Sequence, residues 1–134
     1  MNRLFLLMNR LEHARLMLPF PGSINSLWRC VGGRNILSKP GREYQALAQQ
    51  YLMTQKPLPR FDRPVSVSIA LCPPSRRRMD IDNRIKPVLD ALQKAEVLAD
   101  DSLVHRLVVT WDRSQEVADA GGCICWVTLA GAVA

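Results

Sequence analysis

A strict alternation between positions 65 and 72 constrains the fold more than any other segment of the chain. The larger apolar residues are Val65, Val67, Ile69 and Leu71, and the small ones are Ser66, Ser68, Ala70 and Cys72. A period of two is the pattern of a β-strand whose side chains point alternately to two faces. The segment therefore predicts a strand with one bulky apolar face and one small, uncharged face.

Two helical patterns flank this strand. Over residues 42–55 the apolar residues recur at intervals of three and four, which is the spacing of one buried helix face. They are Tyr44, Leu47, Ala48, Tyr51 and Leu52. After the strand, a second helix is expected to turn Ile85, Val88, Leu89, Leu92 and Ala95 inward. Asp82 or Asn83 is its expected N-cap, so that Pro87 falls in the first turns, where proline is tolerated.

Three further strands complete the predicted order. They cover residues 14–18, 103–111 and 123–129, and the last two are joined by a polar turn containing Gly121 and Gly122. Residues 19–41 are rich in Pro and Gly and are expected to form a long loop. The order β-α-β-α-β-β predicts an α+β fold, a small mixed β-sheet with two main helices packed on it. We expect one domain over residues 13–134, preceded by an extension over residues 1–12.

Length and apolar patterning exclude several classes of protein. A chain of 134 residues is the size of one compact domain, and no apolar stretch approaches the roughly 20 residues of a membrane span. The apolar run at residues 4–8 is too short for a secretory leader, so we expect a cytoplasmic protein. Its cysteines would stay reduced there. Their spacing lacks a second close pair, so packing in strands is favoured over zinc binding. The four are Cys30, Cys72, Cys123 and Cys125.

The charge is strongly segregated along the chain. It carries 18 basic and 12 acidic residues, for a net charge of +6. Residues 1–79 hold 13 basic and 3 acidic residues, whereas residues 80–134 hold 5 basic and 9 acidic ones. A polyanion-binding half is thus joined to a half rich in carboxylates. A merely solubilising basic surface is the alternative interpretation.

The segment 76–101 concentrates the groups that are capable of chemistry. Asp80 and Asp82 are two residues apart, and in an extended segment their carboxylates would project from the same side. Mg²⁺ prefers such hard oxygen ligands and completes its shell with water and phosphate oxygens. One helical turn after Asp82, Lys86 could contact a scissile phosphate. In the alternative, Asp82 is an N-cap that also forms an ordinary ion pair with Lys86.

A third carboxylate is available at Asp100 and Asp101, just before the next predicted strand. A helix over residues 83–95 would be roughly 20 Å long. The six residues that follow can span at most about 20 Å when fully extended. Closure of the three aspartates within one chain is therefore barely possible. Asp101 either returns along a taut linker or is supplied across a dimer interface.

These residues carry a resemblance to a known family. The pattern D-x-D-N-x-x-K-P-x-x-D-A-L, followed about ten residues on by D-D, resembles the RusA family of Holliday junction resolvases. The matching residues are Asp80, Asp82, Asn83, Lys86, Pro87, Asp90, Ala91, Leu92, Asp100 and Asp101. Residues 18–25, together with Trp28, also resemble that family's opening segment L-P-x-P-x-S-x-N. The two motifs stand in the family's order.

The resemblance implies a homodimeric, Mg²⁺-dependent endodeoxyribonuclease that cuts four-way DNA junctions by paired symmetric nicks in recombination and repair, often carried by prophages. It implies that the metal-binding acids are Asp80, Asp82 and Asp101 and that the catalytic lysine is Lys86. The chain departs from the pattern at the end of the predicted strand over residues 103–111. Relatives often carry a lysine there, whereas this chain has Trp111, Asp112 and Arg113.

Junction binding is expected to come from the basic half of the chain. The candidate phosphate contacts are Arg29, Arg34, Lys39, Arg42, Arg76, Arg77 and Arg78. Asn25 and Trp28 are candidates for reaching the junction centre, although Trp28 could equally be a core anchor beneath the loop. Neither His13 nor His105 is placed to act as a general base. A non-catalytic DNA-binding or phage regulatory module, and a small metal-dependent enzyme acting on nucleotides, are the alternative functions.

Overall fold

The computed structural model describes residues 13–113 and 121–131. Its elements are β1 (His13–Leu18), α1 (Ile24–Leu27), β2 (Trp28–Val31), β3 (Arg34–Leu37), α2 (Lys39–Met53), β4 (Val65–Cys72), α3 (Ile85–Lys94), β5 (Val104–Trp111) and β6 (Gly122–Leu129). Short 3₁₀ turns at Asp82–Arg84 and Asp101–Leu103 precede α3 and β5. The predicted α+β class is confirmed, with a mixed sheet and two main helices. The predicted extension over residues 1–12 lies outside the described residues.

The main sheet has four strands in the order β1-β6-β4-β5. β4 runs antiparallel to β6 and parallel to β5, and β6 runs antiparallel to β1. Since parallel neighbours need a crossover connection, the chain from β4 to β5 passes through α3. The carboxyl ends of β4 and β5 therefore lie at one edge of the sheet, which is also where α3 begins.

The bulky face of β4 forms the floor of the core. Val65, Val67, Ile69 and Leu71 are all buried there, as the alternation predicts. α2 and α3 cover this face through residues that are almost inaccessible to solvent, namely Ala48, Leu52, Val88, Ala91 and Leu92. Burial of apolar surface at this interface is what holds the helices on the sheet.

The prediction of which α2 residues face the core is partly wrong. Tyr44, Ala48 and Leu52 are buried, but Leu47 and Tyr51 are exposed. The buried stripe is rotated toward α3, because the Gln45 and Gln49 side chains reach that helix. The side-chain amide of Gln45 donates to the Pro87 carbonyl at 3.1 Å, and that of Gln49 donates to the Ala91 carbonyl at 3.1 Å. A periodicity of apolar residues gives no sign of this polar contact.

The predicted start of α3 is also corrected. The helix begins at Ile85, after the 3₁₀ turn, and no side chain caps it. Neither Asp82 nor Asn83 is therefore its N-cap. Pro87 still lies in the first turn of the helix, where its missing N–H costs no helical hydrogen bond.

Residues 19–41 are more regular than the predicted loop. They contain the single turn α1 and a two-stranded hairpin of β2 and β3, and α2 already begins at Lys39. Gly32 and Gly33 join the hairpin strands with φ of 57° and 77°, the left-handed conformation that a two-residue hairpin turn requires. The Gly-Gly pair was the available sequence signal for this hairpin.

Three of the four cysteines fit the predicted packing role, and Cys30 does not. Cys72, Cys123 and Cys125 are buried and unpaired, while Cys30 is exposed on β2. Cys123 and Cys125 lie two residues apart on β6, with their sulfur atoms 3.8 Å apart. Within the described part of the chain, no helix is long and apolar enough to span a membrane.

Packing of α3 against the sheet can be tested at Leu92, which is 0% exposed. Replacing Leu92 with Ala leaves a cavity that the rigid sheet cannot fill, so we expect a loss of about 2–5 kcal/mol of unfolding free energy in urea. Leu47→Ala is the matched control, because Leu47 is 43% exposed on α2. Equal losses for the two variants would contradict the described packing.

Candidate functional site

The candidate site lies where the carboxyl ends of β4 and β5 meet the start of α3. The chain leaves β4, passes through the basic run at residues 76–78 and reaches Asp80 and Asp82, both exposed. Ile81 between them is half-buried against the core. Its backbone is helical, with φ −70° and ψ −38°, so the segment is not extended as the sequence analysis assumed. Both carboxylates nevertheless remain accessible on either side of the anchored Ile81.

A groove of about 680 Å³ opens beside these acids. Its walls come from the segment before α1, from α1 itself and from the loop that follows β4. The polar and charged lining residues are Ser23, Asn25, Ser26, Ser75, Arg77, Arg78, Asp80, Asn83 and Arg84. The two sequence motifs, around 18–25 and 80–83, thus face each other across one groove. Three arginines and one aspartate along a concave surface can receive an anionic chain such as a phosphodiester backbone.

Arg84 anchors one wall of the groove and was missed by the sequence analysis. Its guanidinium lies 5.5 Å from the centre of the Phe20 ring and donates to the Pro21 carbonyl at 3.0 Å. Phe20 in turn stacks on Trp111, with ring centres 6.2 Å apart. Burial lowers the pKa of Arg84, and the nearby carboxylate of Asp80 opposes that shift. The sequence signal for this arginine contact was the Pro-Phe-Pro segment at residues 19–21, because it supplies an aromatic ring and a carbonyl that can accept a hydrogen bond from a guanidinium.

Trp111 is the last residue of β5, where the resemblance stated in the sequence analysis led us to expect a lysine. Arg113, two residues on, brings its guanidinium to 5.5 Å from the centre of the Trp111 ring. A cation therefore still reaches the end of β5, held over an aromatic face.

Lys86 lies on the first turn of α3 and pairs with Asp90, not with Asp82. Its ammonium is 3.2 Å from the Asp90 carboxylate and 5.6 Å from the centre of the Trp28 ring. The alternative in which Asp82 caps the helix and pairs with Lys86 is not observed. Lys86 and Trp28 line a second cavity of about 390 Å³, whose wall also includes Asn25. Trp28 packs partly on the core, as one of its two interpretations expects, and it also lines this cavity.

Asp101 lies at the opposite end of the sheet. Its backbone N–H donates to the Gln93 side chain at 3.1 Å, near the end of α3. Two consecutive residues, Val97 and Leu98, are tied there to Phe61, which precedes β4. A strand of eight residues such as β5 spans about 26 Å, so Asp101 does not return to Asp80 and Asp82 within one chain. Consistently, among residues 13–113 and 121–131 no three His, Cys, Asp or Glu side chains form a group that could hold a metal.

Asp100 is also exposed, in front of β5. Its carboxylate accepts a hydrogen bond from the Ser102 backbone N–H at 2.8 Å. That hydrogen bond is the main reason why the pKa of Asp100 is lowered. The entry to β5 therefore carries two exposed acidic side chains, Asp100 and Asp101.

The predicted phosphate contacts are all exposed, but they occupy three places. Arg29 and Arg34 lie on the β2–β3 hairpin, while Lys39 and Arg42 lie on the first turn of α2. Lys39 forms a loose ion pair with Glu43 at 3.9 Å, and Arg42 donates to the Leu37 carbonyl at 2.8 Å. Arg76, Arg77 and Arg78 precede Asp80.

One buried hydroxyl fastens the hairpin and α1 to the rest of the fold. Ser38 caps α2 by accepting a hydrogen bond from the Gly41 N–H at 3.2 Å, and it donates to the Ser26 carbonyl at 2.7 Å. Its backbone N–H also donates to the Leu27 carbonyl at 2.9 Å. Through these bonds α2 positions Asn25 and Trp28 opposite Lys86.

Comparisons with a family model and with curated proteins all indicate the same family. The family model described as Endodeoxyribonuclease RusA matches residues 19–120. Crossover junction endodeoxyribonuclease RusA of Aquifex aeolicus is 36% identical over 102 residues, covering 75% of this chain and 79% of that protein. The protein of the same name from Enterobacteria phage HK97 is 33% identical over 88 residues, covering 65% and 72%. The one from Escherichia coli K12 is 34% identical over 89 residues, covering 66% and 74%.

The fastening role of Ser38 can be tested by Ser38→Ala. The change leaves the buried Gly41 N–H without its acceptor and removes a helix cap, so we expect a loss of about 1–3 kcal/mol of unfolding free energy in urea. Ser68→Ala, on the small face of β4, is the control and is expected to change stability far less. An unchanged midpoint for Ser38→Ala would mean that its hydrogen bonds do not hold α1 in place.

Proposed function

This chain belongs to the RusA family of endodeoxyribonucleases, and from that premise we propose that it cuts four-way DNA junctions in a Mg²⁺-dependent reaction. The match over residues 19–120 confirms the family and the enzyme class expected from the two motifs. It favours an endonuclease over a regulatory module and over an enzyme acting on nucleotides. The curated relatives are named crossover junction endodeoxyribonucleases, and the proposal extends their substrate to this chain.

The observation that carries the proposal is the meeting of acids and cations at one groove. Asp80 shares the groove with Arg77, Arg78 and Arg84, and Asp82 begins the 3₁₀ turn beside it. Within the described residues, neither aspartate forms a salt bridge with a basic side chain. Accessible carboxylates that are left without a partner beside a basic surface can bind a cation and a DNA phosphate at once.

The donor chemistry of these residues fits Mg²⁺. The ion is commonly held by one or two carboxylates, with waters and substrate phosphate oxygens completing six ligands. Asp80 and Asp82 supply two accessible carboxylates on one chain. Asp101 from the second copy of the proposed homodimer is the proposed third. When bound, Mg²⁺ would make water a better nucleophile and neutralise charge that develops on the phosphate.

The chain's own residues bind and orient the substrate. Arg77 and Arg78 would attract the backbone on one side of the cut, and Lys86 would contact the phosphate from α3. Asp90 holds the Lys86 ammonium in place through the 3.2 Å ion pair. Asn25 lines both cavities, and Trp28 lines the one that contains Lys86, where an unstacked base near the junction centre could rest.

A two-fold symmetric substrate suits a two-fold symmetric enzyme. We propose a homodimer, because the two strands cut in a four-way junction are related by two-fold symmetry and one site per subunit then yields paired nicks. We further propose that the protein acts in the cytoplasm, in recombination and repair.

The metal assignment can be tested by cleavage of a synthetic four-way junction with and without Mg²⁺. Asp82→Asn keeps the shape of the side chain but removes its charge. We expect it to bind the junction while cutting at least about 100-fold more slowly, since metal ligation contributes several kcal/mol to such reactions. Asp62→Asn, an exposed aspartate before β4, is the control. Undiminished cutting by Asp82→Asn, or full activity of the wild type in EDTA, would refute the assignment.

The basic groove can be tested through the salt dependence of junction binding. Each phosphate contact contributes about 0.9 to the slope of log K against log salt. We expect Arg77→Gln to reduce this slope by about 1. Arg60→Gln is the control, because Arg60 pairs with Glu96 at 3.6 Å at the other end of the sheet. Equal slopes for wild type and Arg77→Gln would remove Arg77 from the DNA contacts.

A further inference from the structure

The guanidinium of Arg84 is held by the fold beside Asp80 in the groove. We propose that Arg84 contacts a phosphate of the DNA strand that is cut, and that Phe20 is a positioning residue that holds its guanidinium in place. In the motif D-x-D-N-x-x-K, Arg84 occupies a position that the pattern leaves open. The inference rests on the proposed function, because it adds a substrate contact to the same reaction.

The guanidinium of Arg84 has donors that the protein does not use. An arginine side chain carries five N–H donors on three nitrogens. One terminal nitrogen of Arg84, Nη1, donates to the Pro21 carbonyl at 3.0 Å. Its Nε is buried, and no group within residues 13–113 and 121–131 accepts a hydrogen bond from it. The edge formed by Nε and Nη2 is therefore not closed by the protein, and such an edge matches two oxygens of a phosphate.

Arg84 also lies where a DNA strand would pass. It lines the groove of about 680 Å³ together with Asp80, Arg77 and Arg78. The Asp80 carboxylate is within electrostatic range of the Arg84 guanidinium, but the two groups form no salt bridge among the described residues. A phosphate can therefore place one oxygen on the guanidinium while the carboxylate beside it stays available to a cation.

A pair of stacked rings supports this guanidinium. It lies 5.5 Å from the centre of the Phe20 ring, and Phe20 stacks on Trp111 at 6.2 Å with the ring planes 25° apart. Both rings also pack against the core, so the support is part of the folded sheet. A guanidinium that already rests on a fixed ring loses little further freedom when it binds a phosphate. The exposed Arg77 and Arg78 lose more.

Donors held in a fixed position act on the rate of cutting as well as on binding. They need no reorganisation when charge grows on the oxygens of a reacting phosphate, and removing one such donor commonly slows an enzyme about 100- to 1000-fold. A mobile cation on the surface mainly strengthens binding through its charge. Loss of Arg84 should therefore weaken both junction binding and cutting, and the two effects can be measured separately.

The phosphate contact can be tested in EDTA, without any cleavage. In salt titrations of binding to a synthetic four-way junction, we expect Arg84→Gln to lower the slope of log K against log salt by about 1. Arg60→Gln is the control, because Arg60 pairs with Glu96 at 3.6 Å and does not line the groove. Urea unfolding verifies that each variant is folded. An unchanged slope for a folded Arg84→Gln would overturn the contact.

The planar shape of the guanidinium is tested by Arg84→Lys, which keeps the charge and the apolar stem. Its salt slope in EDTA should equal that of the wild type, because one cation remains at the same place. With enzyme in excess and Mg²⁺ present, it should still cut at least about 10-fold more slowly, because an ammonium cannot form two parallel hydrogen bonds to a phosphate. This variant decides the question if Arg84→Gln does not fold. Cutting at the wild-type rate would overturn the proposal.

Positioning by Phe20 is tested with a double-mutant cycle. Phe20→Leu removes the ring but keeps an apolar side chain, and we expect it to slow cutting about 10-fold while the salt slope stays unchanged. In the Arg84→Lys background the same change should have a much smaller effect, because Phe20 acts through the guanidinium. Equal slowing in both backgrounds is the result of a merely structural role and would overturn the positioning role.

These measurements keep the inference apart from the proposed function. A wild type that binds the junction but does not cut it with Mg²⁺ refutes the proposed function, whereas the salt slope in EDTA still decides whether Arg84 contacts phosphate. Normal cutting by the wild type, together with an unchanged slope for a folded Arg84→Gln, refutes only the role of Arg84.

Discussion

The parallel pairing of β4 with β5 is the constraint on which the rest of the molecule depends. Parallel neighbours require the chain to cross from one end of the sheet to the other, and α3 makes that crossing. Burial of Val88 and Leu92 against the sheet holds α3 in place. The start of α3 is thereby fixed near the carboxyl ends of β4 and β5, beside Asp80 and Asp82. Its end lies near the amino ends of the same two strands, beside Asp101.

Hydrogen bonds and an arginine–aromatic contact then fix the relative positions of the helices that apolar burial holds on the sheet. Two glutamines of α2 bind carbonyls of α3, and Ser38 ties α1 to the start of α2. Arg84 completes the groove by stacking on Phe20 and binding the Pro21 carbonyl. Because the bonds made by Gln45, Gln49 and Arg84 join residues at least 42 positions apart, the groove forms only when both helices and the sheet are assembled. This accounts for a functional surface built from two separated motifs.

Family membership was readable from the chain alone, whereas several structural details were not. The alternation in β4, the helical spacing of Tyr44, Ala48 and Leu52 and the two motifs all depend on neighbouring residues, and all are confirmed. The exposed Leu47 and Tyr51 were misjudged, because polar glutamines on the adjoining flank face α3. The hairpin was missed although Gly32 and Gly33 marked its turn. The absence of a side-chain cap on α3 could not be read from Asp82 and Asn83.

The sequence by itself determined the two main helices, the four strands of the main sheet and their order, the family, and the acidic and basic residue types of the candidate site. These properties follow from periodicity and from short motifs, in which the interacting groups are near neighbours along the chain. Only the tertiary structure decided which of those groups meet. Asp80 and Arg84 lie with Phe20 at one groove, whereas Asp101 lies near the amino ends of β4 and β5. The directions of the packed helices and strands set these distances, and residue spacing along the chain does not reveal them.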